Sequence, residues 1–213
     1  MKICFAIFAL TLSWAFPLQA QSLYQVEIIA FARETADADQ EESWNKRPNL
    51  HYPERTTVLQ TTGSGSNAFQ QLPAEMWMLN NEAMTIKNRR SMRVLTHIAW
   101  LQPGEAASVL IVGGKQFGNH YELEGSFTLG VENFLKADVN VWFNRFSTTT
   151  VGDTVALPNI PGTVIDSTSS TYSAQTVQLQ EQRRMRNAEL HYFDHPKFGL
   201  LVMVKPIPPS NAQ

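Results

Sequence analysis

Hydrophobic and polar residues alternate along most of the chain after residue 22, which is the pattern of β-strands with one buried face. In residues 23–31, for example, one face contains Tyr24, Val26, Ile28 and Ala30, and the other contains Gln25 and Glu27. The same pattern predicts further strands at residues 92–101, 108–112, 121–131, 135–143, 176–193 and 198–204.

One segment follows helical spacing instead. In residues 73–90, Met76, Leu79, Ala83 and Ile86 recur every three or four positions, and a proline suits the first turn. We therefore predict an α+β fold, a mostly antiparallel sheet of about six or seven strands with one main helix. Polar stretches near residues 33–67 and 147–174 interrupt the pattern, and we expect them to be long mobile loops.

The N-terminus has the pattern of a secretory signal peptide. Lys2 precedes an apolar run over residues 3–16, and Ala20 ends an acceptable cleavage site. We expect residues 1–20 to be removed, which leaves residues 21–213 as a single exported domain. The only cysteine, Cys4, leaves with the signal, so we expect no disulfide, thiol nucleophile or thiolate metal site.

Charge and motifs disfavour several classes of function. The formal net charge of −2 shows no basic excess of the kind that nucleic-acid binding requires. No Gly-x-Ser-x-Gly motif is present. Glu122 and Glu124 share a strand face roughly 7 Å apart, but the pattern gives no sign that either is buried, as a catalytic acid requires. We therefore expect no catalytic residues, and a hydrolase is the least favoured class.

Residues 182–199 concentrate cations, histidines and aromatics. Arg184 and Arg186 share a strand face, and with His191 and Tyr192 they form a hypothetical site for an acidic, sugar-bearing ligand. The alternative is a solvated sheet face in which the arginines pair with nearby glutamates.

The end of this segment has the composition of a tight turn. We predict structural roles there for Asp194, His195, Pro196 and Gly199, with Asp194 capping backbone N–H groups and Gly199 providing a positive φ. His191 and His195 lie on one face of a strand that enters a turn, whereas histidine zinc sites with this spacing usually lie on a helix. We therefore favour turn chemistry and predict no metal and no cofactor.

The chain resembles the CsiV family of Gram-negative cell-shape-integrity proteins. The resemblance rests on residues 24–31, on residues 94–102 and, most specifically, on residues 183–199, with similar positions at 123–125 and 134–135. It implies a non-enzymatic periplasmic protein that binds peptidoglycan. It further implies cooperation in cell-wall synthesis with the lipoprotein activator of a class A penicillin-binding protein. An envelope adaptor that binds only another protein stays open as the alternative.

Overall fold

The computed structural model describes residues 22–34, 48–60, 68–146, 154–163, 172–173 and 175–208. The predicted signal peptide lies outside these residues, as do parts of both predicted loops. The described residues form one α-helix, α1 (Asn80–Lys87), and eleven strands. The strands are β1 (Leu23–Arg33), β2 (Thr56–Thr57), β3 (Met92–Pro103), β4 (Ala107–Phe117), β5 (His120–Val131), β6 (Leu135–Arg145), β7 (Val155–Ala156), β8 (Tyr172–Ser173), β9 (Gln175–Met185), β10 (Leu190–His195) and β11 (Phe198–Ile207).

The long strands form two sheets. One has the order β10-β11-β1-β3 and the other the order β2-β4-β5-β6-β9, while β7 and β8 pair separately. All pairings are antiparallel except that of β2 with β4. The prediction of a mostly antiparallel fold with one helix is confirmed, and the count of six or seven strands is wrong. Two-residue strands leave no periodic signal, and one predicted strand divides in two.

The main core lies between the two sheets. Val26 and Ile28 of β1 belong to the same buried cluster as Phe127 of β5 and Val139 of β6. A smaller cluster covers the opposite face of the four-stranded sheet, where Ile86 and other apolar residues of α1 pack on β1. The order of layers is therefore helix, four-stranded sheet, five-stranded sheet.

The helix is shorter than predicted. The segment 73–90 forms a single 3₁₀ turn at Ala74–Met76 and then α1. The Gln25 side chain donates to the Met76 carbonyl at 2.8 Å, and the Glu27 carboxylate accepts the N–H groups of Met78 and Leu79. These contacts from β1 hold the chain outside helical geometry until α1 begins.

The predicted strand over residues 176–193 is also wrong in extent. β9 ends in the five-stranded sheet at Met185, and β10 begins in the other sheet at Leu190. Between them Ala188 has a φ of 56°, and its N–H donates to the Val204 carbonyl at 2.7 Å. The chain thus crosses from one sheet to the other immediately after Arg186.

Candidate binding groove

An open groove of about 970 Å³ lies at this crossing. Its walls are residues 131–135 of the β5–β6 connection, residues 184–187 at the end of β9, and Tyr24, Glu189 and His191. Met185 is buried and fixes the end of β9 in the core, while its neighbours on both sides are exposed. The crossing therefore brings Arg184, Arg186 and His191, three of the four predicted ligand-binding residues, to one groove.

Arg184 forms an aromatic contact on one wall of the groove. Its guanidinium carbon lies 4.5 Å from the ring centroid of Phe134, whose side chain is 41% exposed. Within the described residues this guanidinium has no carboxylate partner. A cation over an aromatic face keeps its N–H donors directed outward, so Arg184 is oriented and able to bind an anion.

Arg186 pairs weakly within the groove. Its guanidinium lies 3.4 Å from the Glu189 carboxylate, and the two side chains are 82% and 47% exposed. An exposed pair of this kind contributes at most about 1 kcal/mol. A ligand carboxylate can therefore replace Glu189 at little cost.

His191 is held as a neutral ring. Its Nε2 accepts the backbone N–H of Arg186 at 3.2 Å, which places the proton of the neutral form on Nδ1. Burial lowers the pKa of His191; Glu189 opposes this shift, and Arg183 and Arg186 add to it. At neutral pH the groove therefore presents an N–H donor from His191 and positive charge only from its arginines.

Tyr192 lies on the opposite face of the sheet from His191, as alternation along β10 requires. Its ring stacks against Phe31 with centroids 6.3 Å apart. Its hydroxyl donates to Asp194 at 2.5 Å and accepts from Arg33. Burial, together with the Asp194 hydrogen bond, raises the pKa of Tyr192 to about 12. The structure thus separates Tyr192 from the three groove residues, and a ligand role for any of the four stays a prediction.

The β10–β11 turn differs in detail from the prediction. Asp194 pairs with Arg33 at 2.7 Å instead of capping backbone groups. His195 caps the turn, because its Nδ1 accepts the Lys197 N–H at 3.2 Å across Pro196. Gly199 has no positive φ, and its role is close packing: a Cβ there would lie 2.8 Å from the rings of Phe31 and Tyr192.

Arg183 has a structural role that the cluster of cations concealed. Its guanidinium lies 4.4 Å from the Phe193 ring centroid, bonds Glu181, and donates to the Tyr192 carbonyl at 2.9 Å. These contacts join β9 to β10 across the two sheets. The alternative of arginine–glutamate pairing therefore holds for Arg183 and in weak form for Arg186, and it does not hold for Arg184.

Sequence reasoning missed four groove residues: Tyr24, Glu132, Phe134 and Glu189. Tyr24, Phe134 and Glu189 belong to segments that carry the family resemblance, whereas Glu132 had no signal in the sequence. The groove joins Tyr24, residues 131–135 and residues 184–191, which the crossing after β9 brings together.

The carboxylates on β5 have structural partners. Glu122 accepts a hydrogen bond from Arg93 at 2.9 Å and another from the Lys115 N–H. Burial alone would raise the pKa of Glu122, but these two hydrogen bonds outweigh it and lower the pKa below its usual value. Glu124 is fully buried, contrary to expectation, and accepts from His120 at 3.0 Å, the Tyr121 N–H and the Trp142 indole. The hydrogen-bonding capacity of both carboxylates is therefore used by internal partners.

The described part of the chain contains no group of three or more histidine, cysteine or acidic side chains placed to hold a metal ion. Among the described helices, none has the length and apolar character needed to cross a bilayer.

The resemblance seen in the sequence is supported by a family comparison. The family model described as "Peptidoglycan-binding protein, CsiV" matches residues 3–207. The chain belongs to the CsiV family. No curated protein and no solved structure gives a significant match.

The CsiV family match spans all the segments on which the resemblance rested, and the structure joins two of them. Glu27, from residues 24–31, lies 2.7 Å from His97, from residues 94–102. The third segment, residues 183–199, contributes Arg184, Arg186 and His191 to the groove. The residues shared with the CsiV family therefore include both internal supports of the fold and exposed groove residues.

Proposed function

We propose that this CsiV-family protein binds peptidoglycan in the periplasm through the groove at the end of β9. The proposal is supported by the family match over residues 3–207 and by the convergence of Arg184, Arg186 and His191 on one open groove. Guanidinium groups bind carboxylates, which peptidoglycan carries on its stem peptides, and exposed rings such as Phe134 contact apolar groups and sugar faces.

The protein acts without catalysis in this proposal. The buried or paired state of Glu122 and Glu124 favours a structural role for both carboxylates. In this proposal the protein supports cell-wall synthesis together with a lipoprotein activator of a class A penicillin-binding protein, the partner that the CsiV resemblance implies.

A second candidate function is an envelope adaptor that binds only another protein. It is favoured by a separate, mainly apolar groove of about 430 Å³ between α1 and the β10–β11 hairpin, with Phe31, Met92 and Leu201 in its walls. A surface of this composition suits a protein partner better than a glycan. An adaptor of this kind would not need the arginine groove.

A sacculus pull-down tests the proposed function. Purified mature protein is incubated with peptidoglycan sacculi, and the fraction that sediments is measured at increasing salt. We expect retention that falls with salt, because exposed charge contacts are screened. Arg184→Ala combined with Arg186→Ala should lower the affinity about tenfold or more, since each removes a charge-assisted contact.

The matched control is Arg55→Ala combined with Arg90→Ala. Both arginines are exposed and lie away from the groove: Arg55 precedes β2 at the far edge of the five-stranded sheet, and Arg90 precedes β3 at the end opposite Tyr24. Retention of the control should be unchanged. Absence of retention by the unmodified protein would contradict peptidoglycan binding and favour the adaptor. Release of soluble muropeptides would contradict the non-catalytic role.

A further inference from the structure

The groove at the end of β9 has mixed charge. Alongside Arg184 and Arg186 its walls carry the carboxylates of Glu132 and Glu189. A purely anionic ligand would be repelled by these two glutamates. A neutral sugar chain would desolvate four charged groups and compensate none of them. A ligand that carries both a carboxylate and an ammonium group fits this charge pattern without either penalty.

The groove charges are available to such a ligand. Within the described residues, Arg184 has no carboxylate partner and Glu132 has no cationic partner. Arg186 and Glu189 form only an exposed contact of 3.4 Å. The groove thus offers cationic and anionic groups in equal number, and none of the four is held by a strong internal pair.

Resting on the proposed function, we infer that the groove binds the peptide stem of peptidoglycan rather than its glycan chain, with a preference for stems that are not cross-linked. A stem carries free carboxylates, which Arg184 and Arg186 bind. It also carries a diamino acid, whose side-chain ammonium is bound by Glu132 and Glu189. Cross-linking converts that amine of the acceptor stem into an amide, which removes its positive charge. The amino groups of the glycan are acetylated, so the glycan chain offers no such ammonium.

The aromatic residues fit the same ligand. Phe134 is held against Arg184 and stays 41% exposed, and Tyr24 lines the groove from β1. The short apolar side chains of a stem peptide can pack on these rings beside the charged groups. The ligand is therefore recognised by its charges of both signs and by apolar contact with the rings.

Calorimetry with soluble peptides tests this inference. The probe is a synthetic stem peptide, acylated at its N-terminus, with the diamino acid's side-chain amine free. The comparison peptide is acetylated on that amine. We expect the acetylated peptide to bind about tenfold more weakly, the loss of one charge-assisted contact. Glu132→Gln combined with Glu189→Gln should bring the two peptides to nearly equal affinity, whereas Arg184→Ala should weaken both by the same factor.

A second arm uses sacculi from which an amidase has removed the stems. We expect the protein to sediment with intact sacculi and not with these stem-free glycan strands. Equal retention on both, or equal affinity for the two peptides, would overturn the preference for free stems and leave peptidoglycan binding in place. Loss of retention on intact sacculi would instead overturn the proposed function.

Discussion

The buried carboxylate of Glu27 provides a sharp test of how this fold is held together. Glu27 has 0% exposure and accepts three hydrogen bonds: from the N–H of Met78 at 2.5 Å, the N–H of Leu79 at 2.8 Å and His97 Nε2 at 2.7 Å. Two of these donors are backbone groups at the start of α1, which have no partner within the helix. The third donor is His97, whose ring packs against Trp77 with centroids 4.1 Å apart.

Glu27→Ala removes all three acceptor contacts at once. Each buried donor left without a partner costs about 1–3 kcal/mol. We therefore expect the free energy of unfolding to fall by about 4 kcal/mol, a large part of the roughly 5–15 kcal/mol that stabilises a typical domain. Glu27→Gln keeps one acceptor oxygen but turns an NH₂ group toward a donor, so about half that loss is expected.

The assay is urea unfolding followed by tryptophan fluorescence, with Glu34→Ala as the matched control. Glu34 directly follows β1, and its carboxylate is 49% exposed. Among the described residues that carboxylate bonds Arg93, which keeps Glu122 as a second partner. The control should lose less than about 1 kcal/mol. Equal losses for Glu27→Ala and Glu34→Ala, at an unchanged denaturant slope, would refute the reasoning.

Two further predictions concern β5 and the β10–β11 turn. Gly125→Ala should lower the free energy of unfolding by more than about 3 kcal/mol, because φ is 141° and a Cβ would lie 2.2 Å from the Asn140 carbonyl oxygen. The control is Gly130→Ala, whose Cβ would meet only Ala106 at 3.3 Å. Similar melting temperatures for the two variants would contradict this prediction. Burial lowers the pKa of His195 to about 4, below the roughly 6.5 of histidine in the unfolded chain. The neutral ring therefore contributes up to about 3 kcal/mol to the free energy of unfolding above pH 6.5, and this contribution is lost as the pH falls to 4. Stability of His195→Gln should vary less across that window, and parallel pH curves would rule out His195 as the cause.

The sequence was a good guide where periodicity is strictly local. The predicted strands over 121–131 and 135–143 agree closely with β5 and β6, because each has one regular apolar face in the core. The predicted helix over 73–90 was too long, since Gln25 and Glu27 restrain its first half from about fifty residues away. No local pattern reports a contact over that distance.

The polar residues of β1 show the same limit from the other side. Alternation places Gln25 and Glu27 on the polar face of the strand, which predicts contact with solvent. Both are buried because the chain before α1 covers that face and supplies their hydrogen-bond partners. The position of a polar residue in a strand therefore predicts which face of the strand it lies on, but not which part of the chain packs against that face.

The crossing after β9 was the feature least accessible to sequence reasoning. Ala188 adopts a positive φ without being glycine or asparagine, and the connection between β9 and β10 offers only Asn187 as a turn residue. Three of the four predicted ligand residues still share a groove, because Arg184, Arg186 and His191 flank the crossing. Glu132 and Glu189 were missed as groove residues, and with them the mixed charge of the site.

The segment 183–199 is one cluster by composition and two by structure. Tyr192, Asp194 and Gly199 face the α1 side, where they bond Arg33 and pack on Phe31. Arg184 and His191 face the groove on the other side. Because alternate residues of β10 serve the two faces, a family signature of this density needs no single ligand site to explain it. The turn residues hold the β10–β11 hairpin in register, and that register places His191 beside the end of β9. The residues with structural roles in this segment therefore determine the geometry of those proposed to bind the ligand.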